Sequence, residues 1–442
     1  LLANCLFLLI LALPSHALSL EIKEIQTPGG IKAWFVEEKT IPILNMEVIW
    51  KGGGSAVAKE KSGLARLMAA TLDEGAGDLD SKAFQKKLSD LSVSLSFDAG
   101  KDTFRGSLKT LSKNAEQAFE LFGLAVNAPR FDEEAVERIK GQLLVGLNRQ
   151  LSDPNDLAGD AWFELAFSGH PYAIPTEGTL ETVPNLTPAD LKSFQKNQLA
   201  RDNMVIAVIG DISEADLVQY LDAAFASLPA KASLPKVERV KKLGGPANKI
   251  IPMDIPQSVI VFGGDGVLRD DPDYYAAYVL NYILGGGGFE SRLYREIREK
   301  RGLVYSVYSY LSPFEEAGVH LGGLGTGEKT TIEAIELIRS ELTKIRQNGV
   351  TERELEAAKK YLNGSFALRL SSNARIAGIM ASMQFSNLSM DYLDERSALI
   401  NAVSLEDIKR VAKRLMDPDR LLLTIVGKGE NQAEWEEALK NF

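Results

Sequence analysis

Arg298 and Tyr305 stand seven residues apart where a helical pattern gives way to a strand pattern. Residues 291–301 read as a helix, Gly302 suits the position just past a helix end, and the run from Leu303 (LVYSVYSYL) reads as a strand. Arg298 then falls in the last helical turn and Tyr305 early in the strand, so the two side chains, a permanent cation and a phenol, can converge on one point. The same pattern has a plainer reading, with Arg298 complementing the helix C-terminus and Tyr305 packing in a sheet. Other chemistry is sparse. The three histidines, His16, His170 and His320, have no histidine partner one helical turn away, and His170 before Pro171 reads as a turn residue. No Ser/His/Asp or Cys/His arrangement is evident. The Gly285–Gly288 run lacks the Lys-Ser/Thr of a phosphate loop and follows a helical segment, so it reads as a flexible connection between helices.

A second feature lies at Gly63–Gly75 (GLARLMAATLDEG). Its frame resembles the zinc helix of the pitrilysin/insulinase (inverzincin) family of metallopeptidases, which carries H-x-x-E-H at the positions of Arg66, Ala69 and Ala70. Residues four apart share a helix face, so Arg66 and Ala70 stand where two imidazoles would hold zinc. Neither can donate a lone pair, and Ala69 cannot serve as the general base. Counting forward by the family's spacing puts the third ligand position at Gly146. The resemblance extends over Gly169-His170-Pro171-Tyr172, Asp202–Asp211, Leu284–Gly287, Ser291-Arg292-Leu293 and Arg298–Ser306. It implies a clamshell of two homologous domains, usually paired with a second clamshell around a closed chamber. It also implies that Arg298 and Tyr305 reach a peptide substrate near a zinc ion held elsewhere.

These residues need elements to position them, and the chain supplies them twice. Ala115–Phe122 matches Thr331–Ile338 at an offset of 216, Phe131–Leu143 matches Val350–Leu362 at 219, and Val208–Gly210 matches Ile425–Gly427 at 217. A period this long marks a duplicated domain. Each half runs from a strand (Asn45–Trp50; Ser258–Phe262) through a helix to further strands (Ser92–Phe97; Leu303–Tyr310). Amphipathic helices and a closing strand follow (Met204–Ile209; Leu421–Val426). The expected fold is α+β, with two homologous domains and largely antiparallel sheets. We place them at 18–230 and 257–442, joined by a Pro-, Gly- and Lys-containing connector at 231–256 without clear period. Met380, Met383 and Met390 with Ile376 and Ile379 form an apolar helical surface, read as core with a subunit interface as the alternative.

The net charge of −10 and pI near 5.2 argue against a nucleic-acid partner. The basic run Lys236–Lys242 reads as part of the solvated connector. Leu6–Leu13 followed by Pro14-Ser15-His16-Ala17 reads as a signal peptide, 1–17, although no Met, Lys or Arg precedes it. The apolar run is too short for a stable membrane span. Cys5 is the one cysteine and would leave with the leader, so an exported, cysteine-free periplasmic protein is expected. The expectation is a zinc-free subunit of a heterodimeric zinc peptidase, inactive alone. It would need no cofactor of its own, a homologous partner would carry the zinc, and Arg298 and Tyr305 would serve the peptide. The alternative from the same residues is an inactive homologue acting in periplasmic assembly or peptide binding, with the Arg/Tyr pair a relic.

Overall fold

The duplication read from the sequence becomes two sheets of matching topology. The structure, a computed structural model, describes residues 20–428 and 432–440, so the expected leader lies outside the described residues. In the first half the strands are β1 (Lys23–Gln26), β2 (Lys32–Glu37), β3 (Ile43–Lys51), β4 (Ser94–Ala99), β5 (Thr103–Leu111) and β6 (Met204–Gly210). Its helices are α1 (Leu64–Ala69), α2 (Ser81–Asp90), α3 (Ala115–Asn127), α4 (Glu133–Gln150), α5 (Pro154–Ala166), α6 (Pro188–Gln198) and α7 (Glu214–Phe225). The second half has strands β7 (Ala247–Pro252), β8 (Gln257–Asp265), β9 (Val304–Pro313), β10 (Gly318–Gly327) and β11 (Leu422–Gly427). Its helices are α8 (Tyr274–Asn281), α9 (Thr331–Asn348), α10 (Glu352–Gly364), α11 (Asn373–Phe385), α12 (Tyr392–Asn401), α13 (Leu405–Leu415) and α14 (Gln432–Leu439).

The sheet orders are β1-β2-β6-β3-β5-β4 and β7-β11-β8-β10-β9. Omitting β1, each strand has a counterpart, and the pairing directions agree. The β2/β6 and β7/β11 pairs are parallel and the remaining pairs antiparallel. The expected α+β class with largely antiparallel sheets is what forms. One stretch differs from its sequence reading. Within 231–256, residues 247–252 form β7, an edge strand paired in register with β11. Its partly buried Ile250 packs on the second core, so the second sheet begins inside the supposed connector.

Strand periodicity explains both faces of each sheet. On β3, Leu44, Met46, Val48 and Trp50 point into the core under α3 and α7, while Ile49 points the other way. That outer face, with Trp34, Val36, Ala207 and Ile209, is covered by Ile376, Ala377, Met380, Ala381 and Met383 of α11, a helix of the other half. The Met-bearing surface is therefore core, apart from Met390, which is exposed. The reciprocal cover comes from α5. Trp162 is fully buried and donates from Nε1 to the Leu422 carbonyl at 3.2 Å, and Thr424 Oγ1 donates to the Ala158 carbonyl at 2.7 Å. Each half thus lends one helix to the outer face of the other's sheet. A further junction joins the β4–β5 turn to the β9–β10 turn. There Asp102 accepts from the Glu315 N–H at 2.9 Å, and Lys51 pairs with Glu315 at 2.8 Å. No helix among the described residues is long and apolar enough to cross a membrane.

Candidate functional site

The helical turn before β9 is wound wide. Residues 294–299 make i→i−5 bonds, as in Lys300 N–H to Arg295 O at 3.0 Å, and a second wide segment occupies 282–286. Such segments are uncommon and recur at functional sites. The turn ends as the sequence implies. Gly302 takes φ 66°, a left-handed value that costs a glycine little, and its N–H donates to the Arg298 carbonyl at 2.8 Å. The chain then reverses into β9, the edge strand opposite β7 in the second sheet.

This reversal brings Arg298 and Tyr305 together. The guanidinium carbon of Arg298 lies 5.5 Å from the Tyr305 ring centroid, and Tyr305 is 82% exposed. The plainer reading of Tyr305 as a packed sheet residue therefore fails. Beneath them is a residue that the sequence reading passed over. Tyr294, one helical turn before Arg298, accepts a hydrogen bond from Arg298 Nη1 on its hydroxyl, and its ring lies 4.8 Å from the guanidinium carbon. Phe289, 72% exposed, packs edge-on against Tyr294 at 4.8 Å. The i, i+4 spacing of Tyr294 and Arg298 was the available signal. The result is a half-buried cation flanked by aromatic rings at an open strand edge, able to donate hydrogen bonds to a carbonyl or carboxylate.

Two contacts fix the two wide segments to the rest of the half. Arg292 grips Glu354 through two parallel bonds, Nε to Oε1 and Nη2 to Oε2, each 2.7 Å. Glu354 also accepts from the Thr351 N–H in the capping box that opens α10. Burial alone would raise the Glu354 pKa, but Arg292 and the Thr351 N–H outweigh it and hold the carboxyl down to about 2. The second contact explains Gly285. A side chain there would collide with Ser309 of β9 at 2.4 Å, so the glycine lets the wide turn touch the strand. Asn281 and Ser309 lock that contact with bonds of 2.8 and 3.2 Å. The glycine run thus begins as a wide continuation of α8 with Gly285 packed on β9, while Gly286 and Gly288 are exposed.

The other candidate helix is shorter than its sequence pattern. α1 ends at Ala69 with Ala70 as its cap, and Thr71 Oγ1 bonds back to the Leu67 carbonyl at 2.8 Å. Arg66 Nη1 pairs with Asp98 on the edge strand β4 at 2.5 Å. Ala69 is 2% exposed, and Ala70 packs against the first core. Gly146 on α4 is exposed, and a Cβ there would meet nothing within 4 Å. These four residues do not fit a zinc ion: a guanidinium, two methyl groups and a glycine offer no lone pair. Among the described residues no group of three or more His, Cys, Asp or Glu is arranged to hold a metal. His170 serves its turn, with Nδ1 accepting from the Tyr172 N–H at 3.2 Å. His320 is buried, and desolvation lowers its pKa to about 4.

A family model described as peptidase M16 inactive domain matches residues 185–362. A crystal structure of a peptidase M16 inactive domain from Pseudomonas fluorescens superposes with a TM-score of 0.86 at 32% identity, covering 92% of this chain and 98% of that one. The non-peptidase homolog YmxG of Helicobacter pylori is 27% identical over 395 residues, 89% of this chain and 90% of that protein. A Bacillus subtilis relative named as an uncharacterized zinc protease, also YmxG, is 24% identical over 92% of this chain and 99% of its own length. The chain belongs to the M16, or pitrilysin, peptidase family as an inactive homologue.

Proposed function

We propose that this protein is the zinc-free subunit of a heterodimeric peptidase of the bacterial periplasm. A homologous partner carries the zinc and the general base. This chain closes the chamber and binds the peptide through Arg298 and Tyr305. The observation that carries the reading is the contrast between two sites: the α1 positions are filled by an ion pair and methyl groups, while Arg298 and Tyr305 remain paired and open at the β9 edge. The guanidinium N–H groups and the phenol O–H donate to the peptide's carbonyl oxygen. Donors held in place before the reaction cost no reorganisation as charge builds on that oxygen. Tyr294 acts one step back, orienting Arg298 by accepting its Nη1 hydrogen bond.

The test is reconstitution. The purified chain, a zinc-bearing homologue from the same cell, and their mixture are assayed for peptide cleavage and zinc content. The proposal expects zinc only in the homologue and full cleavage only in the mixture. Full-rate cleavage by the homologue alone would refute it, as would stoichiometric zinc in this chain.

A further inference from the structure

A cleft of about 580 Å³ opens between α8, α11, α12, the segment leading into α11, and the outward face of β5. Five arginines line it (Arg105, Arg269, Arg369, Arg375 and Arg396), yet no Asp or Glu does. In a chain of net charge −10 this is an unusual concentration of one sign. Elsewhere arginines find carboxylates, as Arg414 does with Asp271 and Asp273, or Arg292 with Glu354. Among the described residues, none of the five lies within 4.0 Å of a carboxylate oxygen.

Neutral groups hold them instead. Arg396 is 5% exposed, donates to the Leu362 carbonyl at 3.2 Å, and packs 4.2 Å from the Phe366 ring centroid. Arg269 lies 4.1 Å from the Tyr274 ring and 5.3 Å from that of Tyr392, and donates to the Tyr275 hydroxyl at 3.3 Å. Arg375 donates to Ser371 Oγ at 3.0 Å. Arg105 feels Glu47 on the adjoining strand electrostatically. Ring faces and carbonyls satisfy some donors but leave the charge of the buried Arg396 guanidinium without a carboxylate partner. Ile379, Met383 and Leu388 form an apolar strip of the wall, with Ser382 and Ser386 beside it.

We infer that this cleft binds a small amphipathic oxyanion, its carboxylate or phosphate head held by the guanidiniums and its apolar body laid along Ile379, Met383 and Leu388. Planar guanidinium forks suit both heads, and the volume suits a small ligand. The cleft shares no lining residue with Arg298 and Tyr305, so the inference stands apart from the peptidase reading.

Isothermal titration of the purified full chain tests it, with decanoate and decyl phosphate as probes and inorganic phosphate and decyltrimethylammonium as controls. One amphipathic anion should bind at one per chain, about tenfold or more tighter than inorganic phosphate, and the cation should not bind. The tighter of the two anions identifies the head. Arg369→Ala with Arg375→Ala, both exposed positions, should weaken binding about tenfold without changing the melting temperature of the unliganded chain. Arg269→Gln should do the same to binding. Four results would each overturn the inference: no binding of either anion, equal binding of the cationic amphiphile, phosphate alone matching the amphipathic anions, or variants that bind as before.

Discussion

The two halves share a topology but finish their outer edges differently. In the first, α1 and the edge strand β4 are joined by the Arg66–Asp98 pair, and the neighbouring Ala69 is sealed in the core. In the second, the turn at 294–299 and the edge strand β9 leave Arg298 and Tyr305 facing outward above Tyr294. Even the turns into the two strands correspond, with Ser92 at φ 53° before β4 and Gly302 at φ 66° before β9. One edge is closed by an ion pair, while the other leaves a cation beside an exposed phenol.

The framework that the halves share rests on the exchanged helices α5 and α11. If the helix exchange welds the halves together, Trp162→Ala should cost about 3–5 kcal/mol and Met380→Ala about 2–5 kcal/mol. Both should lower the midpoint of one common unfolding transition. Two separate transitions in urea, only one of them shifted by each variant, would contradict the exchange as a unifying contact.

A smaller effect should appear at the brace of the second edge. Glu354→Gln should lose about 1.5–3 kcal/mol, the range for hydrogen bonds to a charged group. Its folded pKa lies below the ordinary 4.5, so the carboxylate's contribution is complete above that value and lost as pH falls toward about 2. The gap between wild type and Glu354→Gln in denaturant melts should therefore shrink on acidification from pH 7 to pH 3. A gap independent of pH would remove the charge from the explanation. The smallest effect belongs to the first edge. Arg66→Ala breaks an exposed ion pair and should change stability by about 0–1 kcal/mol. It should leave cleavage by the reconstituted pair unchanged.

The sequence made much of this framework legible because repetition and periodicity are local signals. The repeat offsets near 217 foretold matched sheets, and Gly302 foretold where the turn before β9 stops. That Arg66, Ala70 and Gly146 carry no lone-pair donor could be read residue by residue. What stayed hidden depends on contacts far apart in the chain. An apolar face on α11 says that the helix is buried, not that it covers the sheet of the other half. The grip of Arg292 on Glu354 spans 62 residues, and the pairing of Arg66 with Asp98 spans 32. Neither distance has a sequence period. The strand 247–252 was missed because its inward face is only partly buried, which left no alternation to detect.

The most direct test of the account is cleavage of a peptide by the reconstituted pair, with kcat/KM measured for wild type, Arg298→Ala and Tyr305→Phe. The account predicts a loss of about 100-fold for Arg298→Ala and about tenfold for Tyr305→Phe, in line with removal of preorganised donors. The zinc content of the partner and assembly of the pair should be unchanged. Unaltered kcat/KM in both variants, with assembly intact, would contradict it.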